Sequence, residues 1–421
     1  MDHLEADNPT LAGHPCFDAA ARHTTSRVHL PVAPRCNVQC NFCNRKFDCL
    51  SESRPGVTSG VLTPRQAADY LDRTVDEVPN LAVVGIAGPG DPFANADETL
   101  ETLRLARERH PELLLCLASN GLGLPPYLDD IAALGVSHVT ITLNTTDVET
   151  GARIYRWVRD GKVVYRGTMG AELLLDHQLA AIAGLKARGV TVKINTILLP
   201  GVNLDEIETV ARAAAELGAD TMNCVPLYPV AETPFAELGE PTPAQVAVAR
   251  AAAGRHVHQM THCARCRADA VGMLGVENDA ASRERLAAVM RPGSDRPYVA
   301  AASLEGYFVN QHLGAADKLY LFEAAPDGSA RPAATRPTPG GGGGSRRWLA
   351  LADSLGDCRA LLVSQLGGSP REVLTRAGIT IYETNGLIAE AAAAVFAGRE
   401  PAALLPRRGC GTCAGPGTGC G

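Results

Sequence analysis

No run of eighteen or more apolar residues occurs in the 421-residue sequence, so nothing in it reads as a membrane-spanning helix. The N-terminus lacks the basic start and apolar stretch of a secretory signal, and Asp2, Glu5 and Asp7 make it acidic instead. Positive charge is not in excess either. With 39 Lys and Arg against 46 Asp and Glu, the formal net charge of −7 gives no electrostatic footprint for nucleic acid and no support for a strongly basic partner. These absences point to a cytoplasmic protein with neither membrane nor nucleic acid among its partners. Its 46% hydrophobic and 20% charged residues are ordinary for a globular chain, and its length exceeds what one core usually supports, so two or more domains are expected.

What the sequence does have is cysteine. Thirteen are many for a reducing compartment, where thiols serve metal or redox chemistry more often than disulfides. Cys16, Cys36, Cys40, Cys43, Cys49, Cys116, Cys224, Cys263 and Cys266 fall in the first 270 residues, Cys358 stands alone, and Cys410, Cys413 and Cys420 crowd the C-terminus. The grouping suggests more than one metal site.

Short runs rich in Val, Ile and Leu at 28–32, 81–86, 113–117, 139–143, 192–198 and 222–227 read as buried strands. Segments of helical periodicity lie between them, at 64–78 (opened by Thr63-Pro64), 97–109, 173–188, 204–217 and 243–253. The alternation predicts an α/β fold of parallel βαβ units, a partial (β/α)6 barrel of TIM type, with chemistry at the C-terminal strand ends. A second α/β region follows, with strand-like runs at 298–302, 319–322, 360–363 and 379–382, and its glycine-rich stretch 326–346 reads as a flexible loop.

The central motif is Cys36-Asn37-Val38-Gln39-Cys40-Asn41-Phe42-Cys43, on a loop after the first strand. Three thiolates suit three irons of a 4Fe-4S cube and leave the fourth open, whereas structural zinc wants four protein ligands. The array resembles that of the radical S-adenosylmethionine (SAM) enzymes, in which the SAM amino and carboxylate groups take the open iron and one electron breaks a carbon–sulfur bond. Gly88-Pro89-Gly90-Asp91, one βα unit later, looks like the strand end that receives the SAM amino group there: glycines permit close approach, and Asp91 is suited to orient a charged group. Asn120, Asn144 and Asn195 close successive strands and are candidates to bond the SAM ribose and carboxylate, though each alone is also an ordinary strand-end residue.

Residues 12–275 closely resemble the NifB family of nitrogenase cofactor maturases. The likeness is carried by His14-Pro15-Cys16, Arg27-Val28-His29-Leu30-Pro31, Arg45-Lys46-Phe47-Asp48-Cys49, the 87–93 loop and His262-Cys263-Ala264-Arg265-Cys266. The resemblance implies two further 4Fe-4S clusters as substrates, fused with an added sulfur and a SAM-derived carbide into an eight-iron precursor (NifB-co) of the iron–molybdenum cofactor. It implies Cys16, His29, Cys49, Cys116, Cys263 and Cys266 as their ligands, with Glu52 as a displaceable oxygen ligand. His23 competes with His29. Cys116 and Cys224 both sit in apolar strands, where a free cysteine usually behaves as a small hydrophobe; Cys116 is kept as a ligand and Cys224 as core. The implied partners are iron–sulfur cluster donors, cofactor carriers or scaffolds of the nitrogenase pathway, and an electron donor such as ferredoxin or flavodoxin.

Residues 297–400 resemble the NifX-like cofactor carriers, a ribonuclease H-like α/β domain, through the stretch Asn310-Gln311-His312-Leu313-Gly314 and the run 379–383. The expected organisation is therefore 1–26 as a segment with cluster ligands, 27–275 as the barrel with its cysteine-bearing extension, 276–296 as a connector, 297–400 as the carrier domain and 401–421 as a Cys/Gly-rich tail. A radical SAM enzyme modifying peptide or RNA with auxiliary clusters, and a cluster scaffold without radical chemistry, are the competing readings.

Overall fold

The computed structural model describes residues 13–51, 56–275, 280–290, 296–340 and 345–402. The chain divides into two units, Met1–Ala287 and Ala288–Gly421. Among the described residues no helix is long and apolar enough to cross a membrane.

The first unit runs β1 (Ser26–His29), β2 (Val38–Cys40), α1 (Pro64–Glu77), β3 (Leu81–Ile86), α2 (Ala96–Arg109), β4 (Leu114–Ser119), α3 (Leu128–Ala133) and β5 (Val136–Thr142). It continues through α4 (Val148–Ile154), β6 (Tyr155–Asp160), β7 (Val163–Tyr165), α5 (Gly167–Ala187), β8 (Thr191–Leu198), α6 (Ile207–Glu216), β9 (Thr221–Pro226), α7 (Pro243–Ala253) and β10 (Val271–Gly272), with α8 (Ala280–Met290) spanning the division. Strands β1, β3, β4, β5, β8 and β9 pair in that order, all parallel, and β10 adds antiparallel to β1. This is a curled half-barrel, the architecture expected of the alternating pattern. Strand β8 is buried along its whole length, as a central parallel strand covered on both faces should be.

Local chemistry fixes the helix starts. Thr63 accepts the Gln66 N–H while the Gln66 side chain returns to the Thr63 N–H, with Pro64 in the first turn, and Thr242, Pro243 and Gln245 repeat the device at α7. One feature was not legible beforehand: β2, β6 and β7 form a separate three-stranded antiparallel sheet, in which β2 is part of the cysteine loop itself.

The second unit contains β11 (Tyr298–Ala302), β12 (Lys318–Ala324), β13 (Ala330–Pro337), α9 (Ser345–Ser354), β14 (Cys358–Val363), α10 (Gly368–Arg376), β15 (Thr380–Glu383) and α11 (Ile388–Phe396). The sheet order is β13-β12-β11-β14-β15, parallel across β11, β14 and β15 and antiparallel across β11, β12 and β13. Leu351, Leu355 and Leu374 pack on one face, and Ile388, Ala392 and Val395 on the other. The expected loop 326–346 is corrected in part, because Ala330–Pro337 is a strand turned back on β12 at Asp327, whose carboxylate accepts the Ser329 N–H at 3.0 Å. An edge strand exposed along most of its length carries no buried face and so no hydrophobic alternation to read, and an edge also tolerates Pro332 and Pro337.

Candidate active site

Strand β1 delivers the chain to the 33–35 segment, against which the glycine loop closes. The Gly90 N–H donates to the Ala33 carbonyl at 2.6 Å and the Asp91 N–H to the Arg35 carbonyl at 2.7 Å. A Cβ on Gly90 would overlap the Arg35 carbonyl, and Gly88 holds φ at +136°, so both positions need glycine. The Cys49 N–H donates to the Pro89 carbonyl at 3.0 Å. The loop therefore clasps both ends of the cysteine segment.

Asp91 is buried and accepts from the Phe93 N–H at 2.9 Å, the Asn120 N–H at 2.7 Å and the Ser119 hydroxyl at 3.1 Å, which ties β3 to the end of β4. Burial raises its pKa even against these bonds. Asn120 donates from Nδ2 to the Asn37 Oδ1 at 2.7 Å and lies 3.7 Å from the Cys36 Sγ. Gln39 donates to the carbonyls of Cys43, at 2.7 Å, and Cys40, at 3.1 Å, which closes the cysteine loop. Cys36, Cys40, Cys43 and Cys49 open together, with Arg45, Gly90, Asp91, Asn120, Thr142, Tyr155 and Gln178, on a cavity of about 510 Å³.

Burial, helped by the Asp91 carboxylate, pushes the Cys36 thiol up to about 12, and burial also raises Cys40 and Cys43. Ligation here must therefore expel protons. Among the described residues no three His, Cys, Asp or Glu side chains converge closely enough to hold a single metal ion. Three thiols opening on one cavity suit a cube, which three protein thiolates can hold, whereas structural zinc takes four protein ligands.

A second cavity of about 590 Å³ is lined by Cys16, His29, Cys116, Cys263 and Cys266, together with His14, Lys193, Asn195, Asn223 and Arg265. His29 faces Gly85 across the β1–β3 pair, where the missing side chain makes room for its ring. Its Nδ1 meets the Arg267 carbonyl at 3.1 Å and so carries the proton, which leaves the Nε2 lone pair for a metal. Burial lowers the His29 pKa to about 4 and keeps the ring neutral. His14 has the opposite tautomer, since its Nδ1 accepts the Cys16 N–H at 3.1 Å and its buried Nε2–H has no partner among the described residues. Burial likewise lifts Cys16 to about 11. Arg27, buried in β1, donates to the Met273 carbonyl at 2.8 Å, to the Gly272 carbonyl, and to the Cys266 Sγ at 2.7 Å, fixing the cysteine-bearing extension to the barrel. Both polar atoms of the buried Asn223 side chain, Nδ2 and Oδ1, lack partners among the described residues. These orphaned polar atoms and spread donors fit a polar inorganic occupant.

The two cavities share a wall. Cys116, Ala118 and Asn120 alternate along one face of β4 and its end, with Cys116 opening on the second cavity, Asn120 on the first and Ala118 on both. On β5, Thr140 and Thr142 repeat the arrangement.

Not every sequence candidate lies on a cavity. Asn144 is fully buried, with Nδ2 donating to the Tyr155 hydroxyl at 3.2 Å and Oδ1 accepting the Ile197 N–H at 2.9 Å, and it lines neither space. Asn195 lies on the second cavity, its Nδ2 bonded to the Ser51 carbonyl at 2.8 Å. Cys49 opens on the first cavity, apart from the other five candidate cluster ligands. His23 is exposed, and Cys224 is core, its thiol donating to Gln259 at 3.4 Å. Glu52, Cys410, Cys413 and Cys420 lie outside the described residues. Sequence reasoning missed Gln178, Lys193, Asn223 and the roles of His14 and Arg27. Lys193 and Arg27 left a signal, each a charge inside a buried strand.

The Radical SAM superfamily matches residues 30–214, and the dinitrogenase iron-molybdenum cofactor family matches residues 296–398. The FeMo cofactor biosynthesis protein NifB of Chlorobaculum tepidum is 51% identical over 97% of this chain and 99% of its own. The chain belongs to the NifB family. Another NifB, from Klebsiella pneumoniae, is 39% identical over 87% of this chain and 86% of its own. A solved structure of Streptococcus suis SuiB bound to S-adenosylmethionine is similar at a TM-score of 0.41 and 14% identity, over 55% of this chain and 49% of that one. As a NifB-family member the chain is a radical SAM enzyme whose cofactors are a 4Fe-4S cluster and SAM, and it carries the family's NifX-like second domain. Cys36, Cys40 and Cys43 have the donor chemistry that fits the cluster.

Proposed function

We propose that this chain fuses two 4Fe-4S substrate clusters, with insertion of a SAM-derived carbide and an added sulfur, into the eight-iron precursor of the nitrogenase iron–molybdenum cofactor. The observation that carries this reading is the wall shared by a three-cysteine cavity and a second cavity rich in sulfur and imidazole donors. Cys36, Cys40 and Cys43 would hold the cofactor cluster, three thiolates for a cube whose ligation SAM would complete. Bound cluster and SAM supply reductive cleavage of a carbon–sulfur bond, and SAM also supplies the methyl carbon. Gly88, Pro89 and Gly90 let the backbone approach the SAM amino group, while Asp91 orients Asn120 beside Cys36. Asn144 and Asn195 support the neighbouring strand ends.

Cys16, His29, Cys116, Cys263 and Cys266 hold the substrate clusters, His29 through Nε2. Cys49, which opens on the three-cysteine cavity, would be the substrate-cluster ligand on that side of the shared wall, and Glu52 would serve as a displaceable oxygen ligand. Sparse ligation suits clusters that must be coupled and then released. The NifX-like unit receives the product, and His312 is a candidate ligand there. The partners of this reading are iron–sulfur cluster donors, cofactor carriers and a ferredoxin or flavodoxin, all in the cytoplasm.

Anaerobic reconstitution of C263A/C266A tests it. The variant is expected to form 5′-deoxyadenosine from SAM and to yield no eight-iron product. A competent product from this variant would refute the ligand assignment, and absence of 5′-deoxyadenosine from the fully loaded wild type would favour a scaffold without radical chemistry.

A further inference from the structure

The β6–β7 hairpin carries a charge opposite to that of the chain as a whole. Between positions 153 and 166 stand Arg153, Arg156, Arg159, Lys162 and Arg166 against the single acid Asp160, on a molecule of net charge −7. All six side chains are exposed. Arg153 reaches the Gly201 carbonyl at 2.9 Å, and Arg159 stacks over Trp157 at 5.5 Å from the ring centre. Among the described residues none of Arg156, Arg159, Lys162 and Arg166 is in a salt bridge. Val163 and Met169 are exposed within the same patch, at 52% and 63%.

This hairpin is also the immediate neighbour of the cysteine loop. Val38 pairs with Val158, Gln39 with Trp157 and Cys40 with Tyr155. The Arg159 N–H donates to the Asn37 carbonyl at 2.7 Å, the Asn41 N–H to the Ile154 carbonyl at 2.8 Å, and the Asn41 side chain to the Arg153 carbonyl at 2.7 Å. Only one strand spacing, about 4.8 Å, separates the basic hairpin from the backbone that bears Cys40.

Uncompensated cations mixed with exposed aliphatic side chains, on a short hairpin, suit a brief encounter steered by charge. We propose that the β6–β7 hairpin is the docking surface for an acidic one-electron carrier protein, which reduces the cluster held by Cys36, Cys40 and Cys43. The inference rests on the radical SAM reading and adds the face through which the electron enters. One electron leaves the carrier and one is gained by the cluster, with no bond made or broken. A polyanion such as RNA is the less suited occupant, because the hairpin's Trp157 is half-buried beneath Arg159 and offers no open ring on which a base could stack.

The test is the triple variant R156E/K162E/R166E, whose positions lie outside both cavities. Stopped-flow absorbance follows reduction of the reconstituted cluster by a reduced flavodoxin of net negative charge, or by dithionite, and binding of oxidised flavodoxin to the cluster-free protein is titrated against salt. The wild-type rate and affinity with flavodoxin are expected to fall steeply with ionic strength. In the variant both are expected to drop at least about tenfold at low salt, while dithionite reduces both proteins alike. Equal rates with flavodoxin, or an equal slowing with dithionite, would overturn the docking surface. Binding of single-stranded RNA in place of flavodoxin, lost in the variant, would overturn it too. Dithionite-reduced wild type that never cleaves SAM would instead sink the radical SAM reading beneath it.

Discussion

His29 and His14 show how one residue type can do different work according to which ring nitrogen the backbone claims. A carbonyl on Nδ1 turns His29 into a lone-pair donor, whereas an N–H on Nδ1 turns His14 into a hydrogen-bond donor. Burial lowers both pKa values, that of His29 to about 4 from an unfolded value near 6.5. Between those values the unfolded chain binds the proton and the folded chain does not. For His29 the stabilisation is therefore complete above about pH 6.5 and is lost as pH falls towards 4, by roughly 1.4 kcal/mol per pH unit, and His14 acts in the same direction. Urea unfolding of the cluster-free protein is expected to show a lower midpoint at pH 5 than at pH 7, and an unchanged midpoint would contradict the buried neutral rings. At this scale the sequence disclosed what is local. The spacing of Cys36, Cys40 and Cys43 is complete within eight residues, and Cys263 and Cys266 stand only three positions apart. Gln178, in the middle of α5, and Asn223, within β9, become cavity residues only when the barrel curls them inward.

Among the elements, the glycine loop has the least latitude, because it is packed against the backbone that launches the cysteine segment. Gly90→Ala is expected to cost about 1–3 kcal/mol through the clash at the Arg35 carbonyl and to lower iron loading in the same protein. A melting temperature and iron content equal to wild type would show that the 33–35 segment yields freely. The barrel strands were readable because each is an apolar run longer than its turn signals, and Leu81–Ile86 was anticipated residue for residue. The β2–β6–β7 sheet was not, since three residues of a cysteine loop carry no period of their own and become a strand only when Tyr155–Asp160 pairs with them. Strand β13 was hidden for a related reason, its exposed edge having no apolar face to display.

For the first unit as a whole, the decisive arrangement is the adjacency of two cavities along β4, with Ala118 between a three-cysteine space and a space holding five further sulfur and imidazole donors. The extension that β10 and Arg27 fasten to β1 brings residues more than 200 positions apart, Cys16 and Cys263, to the second of these cavities. No local window of sequence contains it. Iron counting with electron paramagnetic resonance on anaerobically reconstituted wild type and the C36A/C40A/C43A variant tests the division of labour most directly. The variant is expected to keep the two substrate clusters, lose one cube, and show no spectral change on addition of SAM. A variant that loses every cluster, or still answers SAM with an altered signal, would contradict that division.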